Sequence, residues 1–295
     1  MANQDDSIPA HITDVAPYEQ PYQNDEEFSV VEYDKPELVE AVQRVQAPYV
    51  VARRFPRSEE RALSRILNEC RRLGLASAAM YAVPRGGKTK RGPSIRLAES
   101  LARNWGNIGF GQRELEHVDG INGFTRVEAF CVDFETNAQE SKTFTVYHKR
   151  KANKQIKHIE DPQEIAELVL NYGSRRMRNC ILAVIPKHIV EEAVKQVETT
   201  LRLQGKDTPI QDRVNQLVKA FEQFNVNIDL IEKRLGHELK HISEEELIDL
   251  RAIYVSLKEG QTKRGEWFDP RADADPEIGR AAKLNATKKV PDGKA

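Results

Sequence analysis

Three alternating runs in the middle of the chain, Ile108–Val118, Gly123–Glu135 and Ser141–Lys149, constrain the fold more than any other stretch. Their links, DGING and TNAQ, have turn composition. Links this short join antiparallel neighbours, because a parallel pair needs a crossover of a dozen or more residues. In the second run Phe124, Arg126, Glu128, Phe130, Val132 and Phe134 share one face, opposite Thr125, Val127, Ala129, Cys131 and Asp133. In the third, Phe144, Val146 and His148 alternate with Thr143, Thr145 and Tyr147. The expectation is a small antiparallel meander.

The flanks read as helices. Glu37–Val45 is a short one. Ser58–Leu73 is better: Ser58 suits the N-cap, Glu59 and Glu60 the first turn, Gly74 the end, and Leu63, Ile66 and Leu67 form an apolar stripe. Ala79–Val83 is a strand. Ser94–Asn104 follows as a helix with Ile95, Leu97, Ala98, Leu101 and Ala102 as its apolar set, and Gly106 lies past its end. Beyond Asp161, Pro162 suits a first turn, Glu164–Tyr172 ends at Gly173, Ser174 caps a second helix, and Pro186 breaks the chain before Lys187–Leu203. QGKDTP (204–209) reads as a linker. Gln211–Phe224, Asp229–Leu235 and Glu244–Lys258 then form a helical module, with Ser243 and Glu246 as a capping box.

The fold class expected is therefore α+β: a meander flanked by helices, a C-terminal helical module, and disordered tails. The domains are an acidic tail at 1–34, a core at 35–204, a separable module at 210–260, and a mostly disordered tail at 261–295 anchored only by Trp267 and Phe268.

The net charge of −1 conceals an asymmetry. Residues 1–34 hold nine acidic residues and no Lys or Arg, whereas residues 141–158 hold six Lys or Arg and no acid. Such blocks act as interaction tails or solvated faces. No run approaches the roughly 18 apolar residues of a membrane helix, and the N-terminus lacks the cationic and apolar regions of a signal peptide. Three scattered cysteines, Cys70, Cys131 and Cys180, fit a reducing cytoplasm better than a disulfide framework.

The stretch RGGKTKRGPSIRLAESLARNWGN (85–107) runs a Gly-Gly pair and four cations, Arg85, Lys88, Lys90 and Arg91, into a Pro-Ser helix start followed by Arg96 and Arg103. Backbone amides, a helix N-terminus and clustered cations suit phosphate. A second cluster, Tyr147, His148, Lys149, Arg150, Lys151, Lys154 and Lys157, forms the end of the third run and its exit loop. A third comprises Arg175, Arg176 and Arg178. Cations that track phosphates, with an occasional aromatic to stack on bases, are what a sequence-tolerant strand binder needs. Tyr147, Tyr81 and Trp105 are the candidate stackers, with core packing the better reading of Trp105. The candidate DNA contacts are Arg85, Lys88, Lys90, Arg91, Arg96, Tyr147, Lys149, Arg150, Lys151, Lys154, Arg175, Arg176 and Arg178.

Enzymatic alternatives have weaker motifs. AVPRGGKT (82–89) approximates a phosphate loop, but Lys90–Pro93 intervene before the helix that must follow the Lys-Thr pair. Asp133, Glu140 and Lys142 could serve a metal-dependent nuclease, two carboxylates holding the ion while the lysine positions water. His117, His188, His237 and His241 do not form a ligand set, and no G-x-S-x-G elbow is present.

GGKTKRGPSIRLAESLARNWGNIGFGQREL, with the runs after it and YGSRRMRNCILAVIP, resembles the phage and prophage single-strand annealing proteins of RecT/Redβ/Erf type over roughly residues 60–200. The stretch IEKRLGHELKHISEEELIDLRAIYVSLKEG resembles a helical module that recurs in such phage proteins. The resemblance implies a protein that binds single-stranded DNA without ATP, multimerises into rings or helical filaments, and anneals complementary strands in the host cytoplasm. It further implies no cofactor beyond Mg²⁺ as a DNA counterion. The implied partners are single-stranded DNA, the annealed duplex and other copies of itself, with an exonuclease or host single-strand binding protein docking through 210–260. A plain single-strand binding protein without annealing activity is a further alternative.

Overall fold

The computed structural model describes residues 36–85, 88–152 and 155–268. Its elements in chain order are α1 (Pro36–Arg54), α2 (Glu59–Cys70), α3 (Leu73–Ala78), β1 (Met80–Arg85), β2 (Lys88–Pro93), α4 (Ile95–Trp105), β3 (Ile108–Val118), β4 (Phe124–Asp133), β5 (Gln139–Tyr147), β6 (Lys149–Ala152), β7 (Gln155–His158), α5 (Pro162–Val184), α6 (Lys187–Asp207), α7 (Ile210–Phe221), α8 (Ile228–Leu235) and α9 (Glu244–Lys258). The fold is α+β, as the sequence pattern indicates. The described residues divide into two packing units, one ending at Ala47 and one beginning at Pro48. In the first, α1 begins and Arg44 pairs with Glu40 one turn away. The tail expected at 1–34 lies outside the described residues, as does 269–295.

In the second unit the meander forms with sheet order β3-β4-β5, antiparallel throughout. Its inner face is the one with small side chains: Thr125, Val127, Ala129 and Cys131 are fully covered. They face α5, whose Met177, Cys180 and Ile181 are buried, and the Cys180 thiol lies 3.5 Å from the Ala129 carbonyl. Phe124, Phe130, Val132 and Phe134 occupy the outer face and are half-buried. Glycines on β3 make room for the rings: a Cβ at Gly109 would meet Phe134 Cζ at 2.5 Å, and one at Gly111 would meet Phe130 at 3.3 Å.

Caps fall where composition places them. Ser58, Ser94 and Ser243 each accept from the backbone amide three residues on, and Asp161 accepts from Gln163 N. Helix α5, however, continues without a break through Gly173 and Ser174. Gly173 packs where a Cβ would overlap the Gln112 amide, and the Ser174 hydroxyl donates to the Leu170 carbonyl instead of capping. Gly74 likewise does not end a helix but lies inside α3.

The separable module is not what forms. α6 absorbs the linker as far as Asp207. Phe221, Ile231, Leu247, Leu250, Ile253 and Leu257 join one hydrophobic cluster with Ile66, Leu101 and Ile181. The Ser256 hydroxyl closes the free edge of β1, accepting from Ala82 N (2.7 Å) and donating to Ala82 O (2.5 Å). Those backbone groups would otherwise be buried without partners. Trp267 and Phe268, read as isolated anchors, are core residues. Among the described residues no helix is long and apolar enough to cross a membrane.

Candidate nucleic-acid interface

The cations of 85–91 divide between two faces of the β1–β2 hairpin. Cross-strand pairing sets Tyr81 opposite Gly92, Val83 opposite Lys90, and Arg85 opposite Lys88. Alternation puts these six on one face. Tyr81 lies close over Gly92, where a Cβ would come 3.0 Å from Cε1. The Arg178 guanidinium stacks on the Tyr81 ring at 4.2 Å. This face therefore runs from Arg178 outward to exposed Lys90, Arg85 and Lys88. Gly86 and Gly87, between the strands, lie outside the described residues.

The other face is structural. Arg91 pairs with Asp249 of α9 at 3.4 Å and Glu198 of α6 at 3.7 Å, and Arg234 of α8 donates to the Thr89 hydroxyl. Arg91 thus ties the hairpin to helices instead of facing a phosphate. The helix start after it is also closed. Ser94 is fully buried, its hydroxyl donates to the Ala78 carbonyl at 2.6 Å, and Ile95, Leu97 and Ala98 are covered. The α4 N-terminus offers no phosphate site because core packing occupies it.

What the fold does build is a cleft of about 400 Å³ between α4, α5 and α9. Arg96, Arg175, Arg178 and Lys258 line it with Asn171, Ser174 and Gln261. Arg178 donates to Gln261 Oε1 at 3.0 Å and Arg175 to the Gly260 carbonyl. The Arg175 Nε is buried with no partner among the described groups. Arg96 is exposed and only loosely paired with Glu99, at 3.7 Å. Among the described residues Glu259 is the one acid on the wall. Burial pushes its carboxyl above the usual range, against the Gln261 hydrogen bond and the charges of Arg178 and Arg96. Four cations against one carboxylate leave a site of net positive charge that suits an anion.

Arg176 stands apart. Its guanidinium lies 4.0 Å over the Phe144 ring and its NH1 bonds the Tyr172 carbonyl, so it packs α5 onto β5. Lys258 and Gln261 belong to the cleft but carry no signal of it in the sequence, since they sit in segments read as a separate module and a tail.

The 147–157 cluster forms a second hairpin, β6–β7, where the sequence pattern suggests only an exit loop. Tyr147, Lys149, Arg150 and Ile156 line one open concavity. Lys149 Nζ donates to Asn122 Oδ1 at 3.0 Å, and Arg150 pairs with Glu164. Of Lys151 only the backbone is described, and Lys154 lies outside the described residues.

His148 fixes the junction between meander and hairpin. It is buried, its Nε2 lies 2.9 Å from Thr125 Oγ1, and its Nδ1 has no partner. His117 Nδ1 lies 3.0 Å from the same hydroxyl, and its Nε2 lies 3.1 Å from Asp119. One arrangement satisfies every group except His148 Nδ1: His148 Nε2–H donates to Thr125, the Thr125 hydroxyl donates to His117 Nδ1, and His117 Nε2–H donates to Asp119. Burial, then the neighbouring His117, depresses the His148 pKa.

The rival chemistries lose their residues. Asp133 is buried, ion-paired to Arg57, and accepts from Glu135 N and Thr136 N in the β4–β5 turn. Glu140 and Lys142 pair with each other at 3.6 Å on the edge strand. Among the described residues no three His, Cys, Asp or Glu groups gather to hold a metal. Lys88 and Thr89 open a strand, so no helix amides follow them as a phosphate loop requires. Burial pushes the Cys70 thiol to about 11 and the Cys131 thiol to about 12, so neither is a nucleophile at neutral pH. Trp105 is core, beneath the Arg57 guanidinium. Comparison with family models, curated proteins and solved structures finds no match.

Proposed function

We propose that this chain is a single-stranded-DNA-binding and annealing protein of the recombination type, working without ATP, as a multimer, in the cytoplasm of a host cell. The observation that carries the reading is convergence: Arg96 from α4, Arg175 and Arg178 from α5, and Lys258 from α9 meet in one cleft. A hairpin face bearing Lys90, Arg85 and Lys88 extends from it. Of these cations Arg178 is buried, and its desolvation carries a cost that the packing around Tyr81 and Gln261 sustains.

The mechanism is physical. Annealing is slowed by repulsion between two polyanions and by the search for register. Cations that neutralise one backbone weaken the repulsion, and a multimer that holds many bases exposed shortens the search. Base pairing supplies the specificity. Binding then falls with salt as counterions are released.

The test is binding of a labelled oligonucleotide at several salt concentrations with no nucleotide present, followed by annealing of two complementary strands. Arg96→Ala combined with Arg175→Ala is expected to weaken binding about tenfold, the scale of a lost charge-assisted hydrogen bond. Strict ATP dependence, or unchanged binding in the double variant, would overturn the proposal. Binding without annealing would reduce it to a plain single-strand binding protein.

A further inference from the structure

The outer face of the meander carries aromatic side chains; Tyr49 of α1 packs edge-on against Phe134, and Phe124 lies at the other end of β4. There Phe124 and Tyr147 are directly opposite on β4 and β5, with ring centroids 6.3 Å apart. Tyr147 is 60 % exposed, and Ile156 on β7 is 74 % exposed beside it. Lys149 and Arg150 complete an open, shallow concavity with Tyr147 and Ile156.

We infer that Tyr147, braced edge-on by Phe124, is a stacking subsite for an unpaired nucleobase, with Lys149 and Arg150 holding the adjoining phosphates. The inference rests on the proposed function and adds a division of labour to it. The occupant is argued from charge and shape together. An open ring invites a flat apolar partner, and residues 141–158 contain six Lys or Arg and no acid. A single strand offers both a π face and a phosphate within one nucleotide. A duplex offers the phosphate alone, because its base faces are stacked inside. Arg150 is ion-paired with Glu164, eleven residues before Arg175 on α5. At 1.5 Å per residue that spans about 16 Å of helix, so the subsite is separate from the cleft and several nucleotides would bridge the two.

The subsite thus distinguishes single from double strands, whereas the cleft responds to both. Tyr147 contributes no counterion release, so its loss should change affinity without changing the salt slope.

The experiment uses the full chain and a single-stranded oligonucleotide containing 2-aminopurine, with a duplex of the same sequence as control. Tyr147→Ala and Tyr147→Leu are each expected to lower single-strand affinity at least about fivefold, the lower end for a lost base–aromatic stack, with the salt slope unchanged. Tyr147→Phe should keep wild-type affinity, and duplex binding should be equal in all four proteins. The leucine variant matters because it keeps apolar bulk on the strand while removing the π face. Unchanged single-strand affinity in both Tyr147→Ala and Tyr147→Leu would overturn the inference while leaving the proposed function standing. So would a variant whose defect is a lower sedimentation mass with normal binding per subunit, which would assign the ring to an interface with a second copy. Failure of the wild-type chain to bind any single strand would overturn the proposed function itself.

Discussion

The cleft and the β6–β7 hairpin hold cations in opposite ways. In the hairpin the charges are neighbours in sequence and lie on an exposed ribbon, where Arg150 pairs with Glu164. In the cleft they come from positions as distant as 96 and 258, and Arg178 is buried against Tyr81 and Gln261. A run of lysines and arginines marks where a chain is solvated and basic. A cation whose desolvation is sustained by three packed helices marks where charge has been placed. The comparison teaches that sequence density of charge and structural commitment of charge are different quantities.

The harshest way to break the comparison is to remove one wall of the cleft. Truncation after Gly205 deletes α7, α8 and α9, exposes the apolar cluster they share with the core, and orphans Ala82 N and O. The expected outcome is loss of cooperative thermal unfolding by circular dichroism. A truncated chain that still folds and binds DNA would restore the separable module.

Next in size is Arg178→Ala, which removes both a charge and a packed guanidinium. It should weaken single-strand binding about tenfold and cost roughly 1–3 kcal/mol of stability, because Gln261 and Tyr81 lose their partner. Arg178→Lys should recover part of the binding but little of the stability, since an ammonium does not stack as a guanidinium does. Denaturant titration beside a binding isotherm separates the two effects.

The hairpin should respond more mildly. Lys149→Ala combined with Arg150→Ala is expected to lower affinity for all sequences alike. It should also reduce the salt slope by roughly 1.4, about 0.7 for each single-strand phosphate that no longer meets a cation. An unchanged slope would return this ribbon to the ordinary solvated surface.

The smallest effect is set by pH. The folded-state pKa of His148 is depressed below its ordinary 6.5. The stability it contributes is fully present above that value. It falls as pH drops below 6.5, because the unfolded chain takes up a proton that the folded chain refuses, at no more than about 1.4 kcal/mol per pH unit. Between pH 7 and 5.5 the hydrogen-exchange protection factors, taken against the intrinsic rate at each pH, should fall in β6 and β7, next to His148, before they do in α5. His148→Gln should flatten the response. An equal fall in both regions would mean that the junction does not act locally.

Much of the fold was legible. Period-two runs joined by four- and five-residue links allow only a meander, and Ser58, Ser94 and Ser243 mark helix starts by their side-chain chemistry. Alternation separated the two faces of β4 without saying which is buried; α5 chooses the small-residue face because only there can the helix approach closely. Gly173 was misleading because glycine ends a helix when it must adopt a left-handed backbone, whereas here it admits the Gln112 side chain. QGKDTP was misleading because nothing in it stops a helix before Pro209. The cleft was half legible. Arg96, Arg175 and Arg178 were candidates, but their meeting with Lys258 depends on long-range packing that no local pattern encodes. Arg91 and Arg176 were cations of the expected type, committed to Asp249 and Glu198, and to Phe144, by pairings equally remote in sequence.

The Ser256 clasp on Ala82 has a consequence for how the protein is made. The two residues are 174 positions apart, so a chain emerging from the ribosome exposes the hairpin long before the residue that closes its edge. Throughout that interval Arg178 lacks Gln261, and Lys258 has yet to be added to the cleft. On the proposed function, a chain that gathers polyanions is made beside a large one, the ribosomal RNA, and its cleft is completed only after α9 has emerged.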